Sequence, residues 1–332
     1  MPLDTSTSTQ EEKISSIIWR RRERTSPNIL SNHWCDRRCL HSEEAEKILK
    51  SFPIVGKSQP SEDSKLYFNI LDKVQHLYAV RWDLEVLLMI MLTATFLTAC
   101  FTKIGIVSII CFGFTQIVVG WMGHSMSHSR DKTLNLVGRV FASLMGGFSL
   151  DWWAPKHNMH HIFTNHEEYD DDIKHNYKVY LFPFLYLKWR YDSFTEAVAS
   201  KNYLDIFNIL LNYALLFYCR ENFIYFILGE LIAGFYSAFV LIGNHEREKR
   251  YPEKIEASFM DHQIITCRNY RETNIFWLIL MGGMQYQTEH HMFPQIPFYS
   301  LPKAAEIIKV ELAKINKSII YGPVLWSCPY HV

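Results

Sequence analysis

Four separate stretches of this 332-residue chain carry side chains of the type and spacing that hold metal ions. His124 and His128 stand at i and i+4, so on a helix they share a face. His157, His160 and His161 stand at i, i+3 and i+4, again one face, and Gln287, His290 and His291 repeat that spacing near the C-terminus. Asn244 and His245 form the fourth group. These groups use eight of the 15 histidines. A zinc site takes four ligands, three of them from the protein when it is catalytic, so a single zinc would not use the set. Two ions with about four nitrogen ligands each would. Imidazole suits iron, copper, nickel and zinc, which leaves the metal open on ligand type alone. Soluble di-iron bundles rely mainly on carboxylates, so a nitrogen-rich pair is a different solution. The competing reading is of unrelated helix-surface histidines satisfied by water or carbonyls. It requires four groups to share one side of the molecule by accident.

The elements that must position these residues are apolar. Mean hydropathy is −0.06, near a soluble protein's, but the apolar residues are concentrated in a few runs. Val86 to Thr102 and Ile104 to Gly123 contain no charge, and each is close to the ~20 residues needed to cross a bilayer core. Tyr203 to Cys219 and Asn222 to Gly243 form a second pair, joined by Arg220 and Glu221. A single span over 206–228 would bury those two charges at mid-membrane, which is costly. The expected fold is therefore an all-α integral membrane protein. Four transmembrane helices, about 84–102, 104–123, 203–219 and 222–243, form two hairpins beneath a cytosolic histidine-rich helical cap. Arg20, Arg21, Arg22 and Arg24 precede the first hairpin, and the middle and C-terminal segments are rich in Lys and Arg. The positive-inside rule then puts both termini and residues 124–202 in the cytosol. Leu134 to Leu150 and Ile275 to Met284 are expected to lie on the membrane surface. All four histidine groups then fall at one cytosolic membrane face, an agreement reached from charges and spacing alone.

The rest of the composition excludes other classes. With 34 basic and 34 acidic residues the formal charge is +0, so no nucleic-acid footprint is expected. Seven cysteines form no regular framework. No signal peptide is apparent. Residues 1–64 read as a polar, disordered cytosolic tail, leaving 65–332 as the membrane domain. His33, Cys35, Cys39 and His41 within the tail lack a second ligand pair, and a surface helix is the better reading there.

At the histidine groups the chain resembles the membrane fatty acid desaturases, in particular the front-end group lacking a fused cytochrome b5 domain. The first box reads Gly123-His124-Ser125-Met126-Ser127-His128. The second runs from Trp152-Trp153 through Lys156-His157-Asn158-Met159-His160-His161, and the third reads Gln287-Thr288-Glu289-His290-His291-Met292-Phe293-Pro294. Gln287 in place of a first histidine marks the front-end group, and Pro297, Leu301 and Asn244-His245 also fit. The resemblance covers roughly residues 65–320.

By that resemblance His124, His128, His157, His160, His161, His245, His290 and His291 ligate two iron ions that activate O2. Gln287 and Asn244 become outer ligands or hydrogen-bond partners. The implied enzyme is an endoplasmic reticulum desaturase placing a cis double bond in a fatty acyl lipid, carried as acyl-CoA or on a phospholipid. Ser125 stands where the family often has Asp, so a supporting carboxylate is either missing or supplied from elsewhere. Asp131 and the run Asp170, Asp171, Asp172 are candidates, the run being read in the first place as a solvated loop. No His-Pro-Gly-Gly motif occurs, and a separate cytochrome b5 or equivalent is expected as electron donor. The acyl tunnel is expected between the spans, with Phe112, Phe114, Phe235 and Tyr236 as lining or packing residues. Trp152 and Trp153 touch substrate or anchor a surface helix. Glu230 is placed near the lumenal surface, or protonated against a carbonyl, with a functional role as the alternative. Hydroxylation or sphingolipid desaturation by the same centre, and a membrane metal transporter or sensor, are the competing functions.

Overall fold

The computed structural model describes residues 62–170, 172, 181–245, 248–252 and 257–323. Most of the tail, its His33, Cys35, Cys39 and His41 group, and Asp171 lie outside the described residues. Helix α1 (Glu62–Val74) begins just inside the segment assigned to the tail. Helices α2 (Trp82–Phe101) and α3 (Gly105–Ser127) form the first hairpin. The second is α7 (Tyr203–Tyr218) followed, after a 3-10 turn at Arg220–Asn222, by α8 (Phe223–His245). Among the described residues three helices, Trp82–Phe101, Gly105–Ser127 and Arg220–His245, are long and apolar enough to cross a membrane. Tyr203–Tyr218 is apolar but shorter. Leu87, Ile90, Ile106 and Ile110 point outward at about 60% exposure. Such a continuous apolar surface suits a hydrocarbon environment rather than water.

Helices α3 and α8 run side by side because small residues let their backbones meet. A Cβ built on Gly113 would lie 3.1 Å from Gly229 O, and one on Gly229 would lie 3.0 Å from Gly113 N. At the hairpin tips, Asn222 Nδ2 donates to the carbonyls of Ala99 (3.2 Å), Cys100 (2.9 Å) and Thr102 (3.0 Å). Both hairpins are thereby tied at one end, and their other ends carry His124 and His245.

Shorter helices cover the histidine-bearing end: α4 (Lys132–Leu144), α5 (Leu150–Ile162), α6 (Phe182–Ala199), α9 (Phe259–Thr266), α10 (Ile275–Leu280), α11 (Gln287–Met292) and α12 (Leu301–Ala313). Asp131 starts α4 by accepting from Thr133 N and Leu134 N. That corrects its candidacy as a supporting carboxylate: it is a helix cap. Helix α4 packs on α3 and α7, and α6 packs along α8. Helix α1 joins the C-terminal part, where Tyr67 stacks on Phe293 with centroids 5.2 Å apart.

One strand pair departs from the all-α expectation. Strand β1 (Asn269–Tyr270) pairs in parallel with β2 (Tyr321–Gly322), in register Asn269 with Tyr321. Two residues per strand give little periodicity to read in sequence. The pair fixes the chain on either side of α11, which is buried on all sides. Before α11 the backbone turns at Gly282 (φ +57) and Gly283 (φ +86), where a Cβ on Gly282 would meet Trp121 Cβ at 2.2 Å. Only glycine fits that turn.

Candidate metal centre

The four sequence groups meet. His124 lies in the last turn of α3 and His128 caps it, α5 carries His157, His160 and His161, α8 ends at His245, and α11 carries His290 and His291. Their ligand atoms fall into two buried sets, each with members within 4.8 Å of one another: His124, His128, His157, His161 and His290 in one, His160, His245 and His291 in the other. The division is five and three, against an expectation of about four each. Each adjacent pair on α5 and α11 is split, because consecutive helical side chains diverge by about 100° and so face different sets. The sets adjoin, with His161 and His291 rings stacked at 4.2 Å.

Hydrogen bonds fix the tautomers of four rings. His160 Nδ1–H donates to Asp170 (2.9 and 3.0 Å), and His157 Nδ1–H donates to Asp172 (3.1 Å). His245 Nδ1–H donates to Thr266 O (3.2 Å), and His291 Nδ1–H donates to Gln263 Oε1 (2.9 Å). In each neutral ring the other nitrogen, Nε2, then carries a lone pair free to accept. These lone pairs converge. His157 Nε2 lies 2.9 Å from Nε2 of both His124 and His161, and His160 Nε2 lies 3.2 Å from His245 Nε2. Nε2 of His128, His290 and His291 is buried and has no hydrogen-bond partner among the described residues. Facing lone pairs repel in a buried site unless a cation lies among them, so the donor set fits metal ions. Burial pushes His157, His161, His290 and His291 well below the usual imidazole range, with neighbouring histidines adding to the effect. They stay neutral, the form that ligates. Burial also acts to lower His160, but the charge and hydrogen bond of Asp170, with Asp172, outweigh it and raise this ring.

Asn244 and Gln287 lie beside His245. Asn244 Nδ2 donates to Gln287 Oε1 (3.0 Å) and to Met284 O (3.1 Å), which turns the Gln287 amide nitrogen toward His245 Nε2 at 2.7 Å. The solvated-loop reading of the acidic run is corrected, since Asp170 is fully buried and also accepts from Asn165 N (2.8 Å). Gln263 and Thr266 of α9 had no signal in the sequence, because neither is a usual metal-ligand type. Thr164 Oγ1 donates to the carbonyl of His160 (2.8 Å), four residues back and just past the end of α5, a spacing that could have drawn notice.

A cavity of about 250 Å³ opens beside the rings, bounded there by His124, His157, His160, His245 and Gln287. Trp152 and Trp153 line it; Trp153 stacks on His157 at 4.1 Å, and Lys156 Nζ sits 3.8 Å over the Trp152 ring. Neither Phe112 nor Phe114 lines it, nor do Phe235 or Tyr236. Phe112 packs on Phe226 at 4.9 Å, and Phe235 faces outward on Phe239. Glu230 is neither near a free surface nor bonded to a carbonyl: it is buried, and both its oxygens accept from Arg190.

Comparison with known proteins gives the same direction. No solved structure matches this chain. The Delta(6)-fatty-acid desaturase fat-3 of Caenorhabditis elegans is 28% identical over 247 residues, covering 57% of this chain and 55% of that protein. The acyl-lipid (9-3)-desaturase of Physcomitrium patens is 26% identical, covering 58% and 45%. The Delta 8-(E)-sphingolipid desaturase of Kluyveromyces lactis is 26% identical, covering 65% and 48%. The chain thus spans about half the length of the curated relatives it matches. The family model described as fatty acid desaturase matches residues 101–323, more than half of the chain and all four histidine groups. With Gln287 opening its third box and desaturases of the Delta(5), Delta(6) and Delta(8) types among its relatives, the chain belongs to the fatty acid desaturase family, in its front-end group.

Proposed function

We propose that this protein is an O2-dependent acyl desaturase that introduces a cis double bond into a lipid acyl chain at a pair of iron ions. The observation that carries the reading is the meeting of eight imidazoles from α3, α5, α8 and α11 in two adjoining buried sets beside an apolar cavity. His124, His128, His157, His161 and His290 would hold one ion, and His160, His245 and His291 the other, with Gln287 beside His245 and Asn244 holding Gln287. When bound, the irons supply the reduction of O2 and the removal of two vicinal hydrogens.

The protein's own part is position and exclusion of water. Asp170 and Asp172 hold the Nδ1 protons of His160 and His157, and Thr266 and Gln263 do the same for His245 and His291, so that Nε2 points inward in each. Trp153 fixes the plane of His157. The cavity walls hold one stretch of a uniform hydrocarbon chain against the rings, and position alone can distinguish one methylene from the next. Asp170→Asn is expected to cost about 10–100-fold in turnover, as loss of such an orienting partner does elsewhere. Iron content and turnover measured on the same preparation check this; unchanged turnover would show that the carboxylate orients nothing.

In this reading α2, α3, α7 and α8 cross the endoplasmic reticulum membrane, with α7 completed by flanking residues. The termini and the metal centre face the cytosol, and electrons come from cytochrome b5 or an equivalent carrier. The acyl chain is carried on CoA or on a phospholipid. Hydroxylation and sphingolipid desaturation remain the second reading, since a sphingolipid desaturase is among the relatives. Expression in a host fed labelled acids, with product lipids resolved by mass spectrometry, separates them. A new double bond in a fatty acyl chain is the expected result. Protein present in the membrane with no labelled product from any acid contradicts the reading. A metal transporter would place its ligands near mid-membrane between helices, whereas these lie at helix ends.

A further inference from the structure

Besides the imidazoles, the cavity is lined by several polar side chains. Along α3 its lining runs from His124 through Trp121 and Gly120 to Ile117, and along α8 from His245 through Leu241 to Ser237. Arg190 of α6 also lines it. The guanidinium is locked from behind: Nε donates to Glu230 Oε1 (2.7 Å), and Nη2 donates to Glu230 Oε2 (2.8 Å) and to Gln116 Oε1 (2.9 Å). Gln116 Nε2 in turn donates to Met145 O (3.0 Å). Gln116 and Glu230 both lie past the last cavity residue on their own helices, on the side away from the histidines. Behind them Gly147, at φ +66, passes so close that a Cβ there would lie 2.7 Å from Arg190 Nη1. Lys188 and Asp192, either side of Arg190 on α6, also line the cavity and are 59% and 31% exposed.

We propose that the Arg190–Glu230–Gln116 cluster is the end wall of the acyl cavity, setting how much hydrocarbon fits beyond the metal centre. The proposal rests on the acyl-chain reading above. From His124 to Gln116 is eight residues of helix, about 12 Å at ~1.5 Å per residue. A chain that passes the imidazoles toward Ile117 and Ser237 meets this wall with its methyl end. A guanidinium gripped by two oxygens of one carboxylate and one of an amide has no direction in which to yield. Stability alone does not call for the cluster, since a buried ion pair is often no better than a well-packed apolar pair. What the cluster gives that leucines would not is a fixed, impassable surface at a defined depth.

Two variants of the full chain move the wall in opposite directions. Arg190→Leu with Glu230→Leu removes both charges and shortens the wall, and Ser237→Leu fills space in front of it. The probes are ladders of straight-chain free fatty acids, saturated and unsaturated, read in two ways: thermal stabilisation of the purified protein by each acid, and products formed when each is fed to an expressing host. The double variant is expected to favour longer acids, and Ser237→Leu shorter ones. The long-to-short ratio should change by about tenfold or more, because one methylene in an apolar pocket discriminates roughly 10–200-fold. If the double variant fails to fold, Ser237→Leu against the unaltered protein decides. A length preference that is absent in the unaltered protein, that neither variant moves, or that both move the same way overturns the wall. If stabilisation shifts as expected while no acid is desaturated even by the unaltered protein, the wall stands and the reaction assignment falls. If acids are desaturated but the length preference does not move, the reaction assignment stands and the wall falls.

Discussion

His290→Ala is expected to abolish the unsaturated product while leaving the protein in the membrane. His290 is buried in the five-histidine set, its ring 4.5 Å from that of His124 and 4.8 Å from that of His161. Its Nε2 has no hydrogen-bond partner among the described residues, which leaves it available to a metal ion. Removing a group that merely orients a ligand costs about 10–100-fold, and removing the ligand itself should cost at least the upper end of that range. His160→Ala should do the same to the three-histidine set, and strand Asp170 as a buried carboxylate without its ring. His76→Ala is the control, an exposed histidine on the turn after α1 that should leave product unchanged. Product by mass spectrometry, with membrane-fraction protein as the reference, checks all three. Product persisting in both His290→Ala and His160→Ala would remove the metal assignment.

Glu230→Ala is expected to be the most destabilising single change outside the histidines, by about 3–5 kcal/mol, because it leaves the Arg190 guanidinium buried and unpaired. The two side chains are only 12% and 7% exposed. Gly147 lies against the guanidinium, where an added Cβ would come within 2.7 Å of Nη1. Replacing both partners by leucine should recover much of that loss, since neither charge is then left alone. Thermal denaturation of the two variants in one detergent measures the difference. A single variant as stable as the double would mean that water or another group already satisfies Arg190.

The histidine centre was legible in the sequence to an unusual degree, and for a simple reason. Ligands on helices must recur at i+3 and i+4, so His124 with His128, and His160 and His161 with His157, announce both the helix and the face. The apolar hairpins were legible because a soluble helix rarely goes without charge over a membrane's thickness. What stayed hidden depended on contacts between distant segments. Nothing in the sequence distinguishes an acidic run that folds back under a histidine helix from one in water, and Asp170 proved to be of the first kind. Asp131 carries the same side chain and only caps a helix, a choice made by whether amide N–H groups or an imidazole lie within reach. Glu230 looked like a lone charge because its partner Arg190 is forty residues away on a helix read as cytosolic. The aromatic residues Phe112 and Phe235 turned from the cavity because helical rotation, which composition does not report, points them to the core and outward.

Four distant stretches of chain are held to grip two iron ions, and the metal content of the protein tests this most directly. Protein purified from iron-replete membranes should contain about two irons per chain by elemental analysis, as a set of eight nitrogen donors for two ions requires. Preparations of active, folded protein with one metal ion per chain or none would contradict it.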